Sequence, residues 1–517
     1  MLIHPEPDAT LPYLQHHLGE PMLRWLLGGT DPALTEQQNQ IVEALRQQLR
    51  EIIAGSRQPS SMQVDLFCSP TENGTVIGQF KELLSGPDEH LQPSGDDVLD
   101  ALRVVARTAY PRLLLPPAPY RMPINIAHWL PDFKAFLFAA RADPTLIFTR
   151  PSNEVEQLDF IADGFFEATF ARNMILAAWE QERLEQSRVP ALPELYRRLE
   201  TVLDQVRLGC AGRDFEVVYL ASLTGLTLPE DENIEAESIR IRAARWGDHP
   251  GALQSLLEQQ TTTTLGDGSD RTITISDAGD VIVEVRCPAR VIFQRNDSDQ
   301  ITAWQIKPKI DAEHVISRVR LACLLSWSRE NPPVILPVWS GLVDPFVGGG
   351  VLASWRSPQG FAPRTPIELT RTEMDQWQIW LERVREIDLK RIGVAPARLL
   401  RAVAERTDFA DALIDAVIVW EALFGDKIET TFKVTTAIIR LLGRTPEERR
   451  AIKKEVTQLY EQRSLIVHGQ GGHTDQHDAS QRAITLSIRC LKALIEHRPD
   501  LVPKTSGERV SALVVME

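Results

Sequence analysis

The spacing of apolar residues predicts a chain that begins with helices. In the segment 35–54 apolar residues recur on one helical face, and Thr35 and Gln38 have the spacing of a capping box. Gly55 follows where a helix C-cap is expected. Six prolines between residues 111 and 131 predict a surface connector, because each proline removes a backbone donor. Further helices are predicted over residues 96–108, 154–186 and 192–207.

The middle of the chain changes to a period of two, which is typical of strands. The stretch TITISDAGDVIVEVR (272–286) predicts a hairpin whose turn spans Asp277–Asp280. Such a turn joins neighbouring strands, so we expect a mainly antiparallel sheet that packs against helices. Other strands are predicted in FEVVYLASLTGLTL (215–228), SIRIRAA (238–244), PPVILPVW and GGVLASW, and helices at about 314–328 and from residue 372 onward.

These patterns predict an α+β multidomain protein, with a mixed helical and β region followed by a C-terminal α-helical bundle. The paired Trp377 and Trp380 fit core positions better than a base-stacking platform, and FVGGGV (346–351) fits a turn between strands. The predicted segments are a mostly helical region with a proline-rich connector (1–130), a helical segment (131–210), a β-rich domain (211–370), a helical domain (371–505) and a tail (506–517).

Composition narrows the class of protein. The net charge of −15 argues against a general nucleic-acid coat, although 18 basic and 17 acidic residues nearly cancel from Ala395 onward. RNA contact is therefore expected in this C-terminal part, because phosphates need local cations. No run of 18 apolar residues and no signal-like N-terminus is present, and the five cysteines are scattered. These features predict a cytoplasmic protein without a membrane span or a disulfide framework.

Candidate chemistry is concentrated near the C-terminus. The stretch LYEQRSLIVHGQGGHTDQH (459–477) places Arg463 and His468 five residues apart, at the predicted end of a helix. About 40 residues upstream, ALIDAVIVWEALFGD (412–426) forms an apolar segment that carries Glu421. The Arg–His spacing alone is not diagnostic, so the prediction depends on this context.

These two segments resemble the Apea-like HEPN family. The resemblance covers about residues 395–500 and implies a dimeric α-helical bundle, often a metal-independent ribonuclease with an Arg-x(4–6)-His motif. It implies that Arg463 and His468 are catalytic and that no cofactor is needed. Ser464 stands where many active members carry Asn, Asp or His, although serine also occurs in the Apea-like branch. The implied role is bacterial antiviral defence or a toxin-like stress response, with a phage or cellular trigger sensed by the N-terminal region.

The chemistry of the two residues agrees with this resemblance. In metal-independent cleavage the ribose 2′-OH attacks the adjacent phosphate, which requires a proton carrier near neutral pH and a cation. Histidine suits the first task and arginine the second. Five helical residues turn through about 500°, so Arg463 and His468 lie about 140° apart around one helix. We therefore expect the helix to end near Gly469 or a second copy of the chain to complete the site, with Glu421 orienting Arg463.

Other interpretations remain open from the sequence. Arg463 pairing with Glu421 and His468 capping a helix would make the bundle a non-catalytic interaction module. A metal site is a third interpretation, although the glycine-rich loop favours a solvated surface; its candidate ligands are His468, His473, Asp475, His477 and Asp478. A basic stretch fits either a solvated helix face or a phosphate-binding patch beside the site; its members are Arg440, Arg444, Arg449, Arg450, Lys453 and Lys454.

Overall fold

The structure is a computed structural model with a mixed α/β architecture, a sheet in the middle of the chain and helices at its C-terminal end. This confirms the mixed composition expected from the sequence. The structure describes residues 10–29, 34–55, 60–71, 74–88, 92–116, 126, 130–146, 165–186, 188–244, 258–264, 270–276, 279–295, 301–346, 354–355, 365–426, 430–469 and 476–515.

The N-terminal part is helical. The predicted capping box at Thr35 is confirmed, because its hydroxyl accepts from the Gln38 backbone N–H and the Gln38 side chain accepts from the Thr35 N–H. The helices are α1 (Thr10–Leu27), α2 (Glu36–Ala54), α3 (Ser60–Phe67), α4 (Val76–Ser85), α5 (Asp97–Leu114), α6 (Pro131–Ala142), α7 (Phe165–Gln186) and α8 (Leu192–Cys210).

Two prolines behave differently from the connector predicted around them. Helix α5 continues through Pro111 to Leu114, so the expectation that it stops before this proline is wrong. Pro111 removes one helical hydrogen bond, but it is buried together with Tyr110 and Leu114, whose apolar contacts hold the last turn. Pro131 begins α6, because proline fits the first turn of a helix. Helices α1, α3 and α4 were not predicted.

A mainly antiparallel sheet follows. Its strand order is β10-β9-β1-β7-β4-β3, and β8 also pairs with β7. The elements are β1 (Phe215–Thr224), β2 (Leu226–Thr227), β3 (Asn233–Ala236), β4 (Ile239–Ala243), β5 (Glu258–Thr264), β6 (Asp270–Ser276), β7 (Val281–Arg295), β8 (Ile301–Pro308), helix α9 (Ala312–Ser326), β9 (Leu336–Val343), β10 (Ser354–Trp355) and β11 (Ile367–Glu368).

The predicted hairpin between residues 272 and 286 is wrong. Strand β6 pairs with β5, whereas β7 pairs with β1, β4 and β8. The end of the expected turn instead binds the corner after β1, where the Asp280 carboxylate accepts from Thr224 Oγ1 and from the Gly225 N–H, both at 2.7 Å. Gly279 has φ +84°, and an added side chain there would collide with Ser222.

One face of the sheet contacts both groups of helices. On β1, Phe215 and Val217 join the core formed with the N-terminal helices. Further along the same face, Ala221 and Leu223 join the core formed with the C-terminal helices. Because side chains of one parity share a face, the sheet links the two helical parts through a single buried surface.

The C-terminal part is helical, as predicted. Trp377 and Trp380 are core residues, and Trp377 Nε1 donates to the Val319 carbonyl of α9 at 3.1 Å. The core is therefore continuous across residue 370. The helices are α10 (Arg371–Glu386), α11 (Ala395–Leu400), α12 (Phe409–Phe424), α13 (Thr430–Leu442), α14 (Pro446–Val467), α15 (Gln476–His497) and α16 (Ser506–Val515), with a π-helical turn at Arg401–Glu405.

Buried polar contacts hold this helical part together. Asp415 is almost fully buried and accepts from Arg398 at 2.5 Å and from Arg406 at 2.7 Å. The segment predicted as a tail forms α16, whose Arg509 is also buried. Its guanidinium donates to four backbone carbonyls, those of Leu501, Leu423, Arg391 and Val502. The last helix is thereby tied to three earlier segments.

Candidate active site

Helix α14 carries both residues of the Arg–His motif. It begins with a capping box between Thr445 and Glu448, and it ends at Val467 with His468 as its C-cap. The His468 N–H donates to the Ser464 carbonyl at 3.1 Å. Gly469 has φ +70°, a conformation that glycine adopts without strain. The helix therefore ends next to Gly469, as the sequence analysis expected.

Arg463 lies on the core-facing side of this helix. Ile452, Val456 and Leu459 are buried, and Arg463 continues the same stripe one turn later. The arginine is half-buried, and its Nε is covered by protein. Within the described part of the chain, this Nε has no hydrogen-bond partner. Arg463 thus occupies a stripe whose earlier positions carry apolar side chains, and no ion pair of its guanidinium is found among the described residues.

The surroundings of Arg463 contain further polar atoms without partners. Tyr460 Oη, Gln462 Oε1 and Trp420 Nε1 are all buried and form no hydrogen bond among the described residues. The rings of Trp420 and Tyr460 meet at 65°, with centroids 5.8 Å apart. Buried polar groups normally have partners, so this concentration at one helix end is unusual.

Glu421 and Arg463 flank Tyr460 with opposite charges. Burial raises the pKa of the Tyr460 phenol, the Glu421 carboxylate raises it further, and the Arg463 guanidinium lowers it. Among the described residues no ion pair joins Glu421 to Arg463, since no side-chain N–O distance between them falls within 4 Å. Glu421 lies near enough to influence the site electrostatically, but it does not neutralise Arg463 by direct contact.

The other side of the helix end is open to solvent. Ser464 and His468 are exposed. Leu465 and Val467 are also exposed, with 46% and 53% of their surface accessible. The helix end therefore exposes two apolar side chains to water next to the histidine.

The basic stretch lies away from this helix end. Lys454 and Arg449 precede Arg463 by 9 and 14 residues on the same helix, which places them about 14 and 21 Å away along the axis. Arg449 Nε donates to the Gly443 carbonyl at 3.1 Å, and Arg450 pairs with Glu447 at 2.5 Å. Arg440, Arg444, Lys453 and Lys454 are exposed. Exposure fits both a solvated helix face and a phosphate-binding patch, so both interpretations stay open.

The metal interpretation gains no support from the geometry. His473 and Asp475 lie outside the described residues. The His477 ring packs edge to face on the Phe409 ring, with centroids 4.6 Å apart. The Asp478 carboxylate forms an ion pair with the Arg482 guanidinium, with 3.7 Å between Oδ2 and Nη1. In the ranges that the structure describes, no three potential metal ligands come together.

Arg463 and His468 were predicted from the sequence, but the aromatic pair formed by Trp420 and Tyr460 was not. Trp420 and Tyr460 are 40 positions apart, and only the packing of α12 against α14 brings them together. A signal for the burial of Arg463 was present, since it stands four residues after Leu459 in the apolar stripe.

Comparison with known proteins identifies no relative of this chain. The chain was compared with family models, with curated proteins and with solved structures, and no match was found. Across the described ranges, none of the helices has the length and apolar character needed to cross a bilayer.

Proposed function

We propose that the C-terminal helices form an HEPN-type endoribonuclease that acts as a homodimer and needs no metal ion. The observation that carries this proposal is the state of Arg463, an arginine in a core-facing stripe whose buried Nε lacks a partner among the described residues. A half-buried cation without a counterion is costly, and a bound phosphate would remove that cost.

His468 supplies the second chemical group. Its imidazole is exposed at the end of the helix, and an imidazole can both accept and donate a proton. In the proposed reaction it accepts the proton of the ribose 2′-OH while this oxygen attacks the adjacent phosphorus. The bond from phosphorus to the 5′-oxygen breaks, and the imidazole returns the proton to that oxygen. Arg463 stabilises the negative charge that develops on the phosphate oxygens.

A second copy of the chain would bring the two groups together. Within one helix the Arg463 and His468 side chains project about 140° apart, so the two are poorly placed to contact the same phosphate. Exposed Leu465 and Val467 lie between them in sequence and would be covered in a dimer formed at this helix end. Under this arrangement the arginine of one copy and the histidine of the other line a common cleft.

The role proposed for the enzyme is antiviral defence or a toxin-like stress response, with the N-terminal region as the sensor. This part rests on the resemblance of residues 412–426 and 459–469 to the Apea-like HEPN family. The continuous core between the sheet and the C-terminal helices supplies a mechanical connection for such regulation.

A non-catalytic interaction module is the second candidate. The exposed Leu465 and Val467 favour it as much as they favour a catalytic dimer, because either needs an apolar contact surface. The two candidates differ in chemistry: only the first requires Arg463 and His468 themselves.

The deciding experiment measures cleavage of labelled RNA by the full chain. We expect cleavage that persists in EDTA, spares DNA and leaves 2′,3′-cyclic phosphate and 5′-hydroxyl ends. His468→Ala should lower the rate by about 10² to 10⁴, the usual contribution of a general acid–base group. His314→Ala, at another exposed histidine near a helix end, is the matched control and should keep full activity. Products with 5′-phosphate ends, or an unaffected His468→Ala enzyme, would refute the mechanism.

A further inference from the structure

A large cleft lies in the N-terminal helical part, far in sequence from the motif. It opens between α1, α4, α5 and the start of α8, and its volume is about 720 Å³. This volume lies within the range of about 300 to 1,000 Å³ that is typical of small-molecule sites.

The floor of the cleft is aromatic. Tyr110 and Tyr196 are buried, and Trp25 is half-buried, with its ring edge to face on Tyr110 at 6.0 Å between centroids. The Tyr110 hydroxyl donates to the Pro190 carbonyl at 3.0 Å, and Trp25 Nε1 donates to Asp88 at 3.1 Å. These two rings are therefore held in place before any ligand arrives.

Tyr196 differs from the other two rings. The residue is only 7% exposed and lines the cleft, yet its hydroxyl has no hydrogen-bond partner within the described ranges. Leaving a buried hydroxyl without a hydrogen-bond partner is energetically unfavourable. A phenol kept at this cost in the wall of a large cleft indicates a ligand that accepts its hydrogen bond.

Basic side chains lie on one wall and at the rim of the cleft. Lys81 is buried, lies 5.9 Å above the Trp25 ring centroid and donates to the Gly86 carbonyl at 2.9 Å. Lys81 Nζ also lies 3.8 Å from an Asp88 carboxylate oxygen. An ammonium has three N–H donors, so Lys81 retains a donor for a ligand beside these two contacts.

Arg24 and Arg188 are exposed at the rim. Arg24 pairs with Glu20, whereas Arg188 donates two hydrogen bonds to Glu194 and one to the Val189 carbonyl. An anionic ligand has to compete with these carboxylates for the two guanidinium groups.

We infer that this cleft binds a nucleotide, with its base against Trp25, its phosphates at Lys81, Arg24 and Arg188, and a polar atom accepting from the Tyr196 hydroxyl. Aromatic side chains stack on bases of any sequence, and arginine and lysine are the usual partners of phosphate. Aromatic and proline residues also line grooves that bind polyproline peptides. Three cations in one cleft favour a polyanion instead, because phosphate oxygens can replace the carboxylates that now pair with these cations.

The test is isothermal titration calorimetry of the full chain with ATP, GTP, CTP and UTP in the millimolar range. We expect at least one of them to bind with one site per chain, and its nucleoside or tripolyphosphate alone to bind more weakly. Arg188→Gln should weaken binding by about 10-fold and Tyr196→Phe by about 3- to 10-fold. Arg371→Gln, at an exposed arginine in surface ion pairs elsewhere, is the matched control and should bind as the unchanged chain does.

Thermal stability measured with and without nucleotide distinguishes a ligand contact of Tyr196 from a structural role. The phenylalanine variant should be at least as stable as the unchanged chain without nucleotide, because it loses only an unpaired hydroxyl. It should gain less thermal stabilisation when nucleotide is added. The inference is independent of the proposed nuclease, so Arg463→Ala should bind nucleotide normally.

Three results would overturn the inference. The first is the absence of binding for all four nucleotides. The second is binding that Arg371→Gln or Arg463→Ala weakens as much as Arg188→Gln does. The third is binding of a proline-rich peptide, in place of nucleotides, that Tyr196→Phe abolishes.

Discussion

Trp420 of α12 and Tyr460 of α14 meet edge to face, and neither ring's polar atom has a hydrogen-bond partner among the described residues. Tyr460 is also close enough to Arg463 for the guanidinium to lower the pKa of its phenol. The two rings pack against each other as core residues do, but each carries a buried polar atom, the indole Nε1 of Trp420 and the Oη of Tyr460. Unpaired buried polar atoms reduce stability, and here they lie next to the helix end that carries the Arg–His motif.

The first prediction concerns the Tyr460 hydroxyl. Tyr460→Phe removes a buried donor that has no partner, so the free energy of unfolding should stay the same or rise by up to about 1 kcal/mol. The control is Tyr110→Phe, which removes a hydroxyl that donates to the Pro190 carbonyl and should lose about 1 kcal/mol. Urea denaturation of both variants provides the comparison. Equal losses would mean that the Tyr460 hydroxyl is stabilised by a partner in solution.

The second prediction concerns Arg463. Arg463→Ala should reduce RNA cleavage by about 10² to 10³, which corresponds to the loss of one oxyanion-type donor. Arg463→Lys should restore only part of the rate, because lysine keeps the charge but loses the two-pronged donor geometry. Both variants should remain folded, because no buried carboxylate is left behind.

The matched control for Arg463 is Arg398→Ala. This change removes one of the two partners of buried Asp415 and should cost about 3 to 5 kcal/mol of stability. Circular dichroism melting and single-turnover cleavage assays distinguish the two effects. A large stability loss in Arg463→Ala would mean that the residue is structural.

The third prediction concerns assembly. Leu465→Glu and Val467→Glu place a charge on the exposed apolar end of α14, so they should convert a dimer into a folded monomer. Analytical ultracentrifugation measures the change. Phe138→Glu alters a side chain that is 81% exposed on α6 and should leave the dimer intact. Monomers of the unchanged chain at micromolar concentration would contradict the proposed pairing.

The fourth prediction concerns pH. The Arg329 guanidinium lowers the pKa of Glu373 to about 2, from an ordinary value of 4.5. The contribution of ionised Glu373 to the free energy of unfolding is therefore fully present above pH 4.5 and is lost as the pH falls toward about 2. Glu373→Gln should lower the melting temperature at neutral pH by the equivalent of about 1 kcal/mol or less, because the pair is partly exposed.

The difference between Glu373→Gln and the unchanged chain should narrow as the pH falls below 4.5. Glu382→Gln, at an exposed position of the same helix, is the control and should have little effect at neutral pH. Melting curves recorded from neutral to acid pH test this. If the difference in melting temperature between the two proteins widened on acidification, a group other than Glu373 would control the pH dependence of stability.

Local features of this protein were predictable because their physical causes lie within a few residues. The capping box of Thr35 and Gln38 needs only three positions of separation, and the end of α14 is determined by the glycine that follows His468. The burial of Trp377 and Trp380 follows from their spacing on one amphipathic helix.

Long-range pairing was decided only by the tertiary structure. The turn before β7 looked like a hairpin, but the Asp280 carboxylate binds the corner after β1, more than 50 positions earlier. Strand β7 then pairs with three other strands, and β6 pairs with β5. Alternation reveals that a segment is a strand, but it does not reveal which strand will satisfy its backbone groups.

The same distinction applies to the candidate sites. The sequence by itself determined that an arginine and a histidine stand five positions apart at a helix end. Only the packing of α12 on α14 brought Trp420 against Tyr460, close to an Arg463 whose Nε has no partner in the part of the chain that the structure describes. The cleft that contains Trp25 and Tyr196 has no local signature at all, because its walls come from four helices that only the folded core brings together.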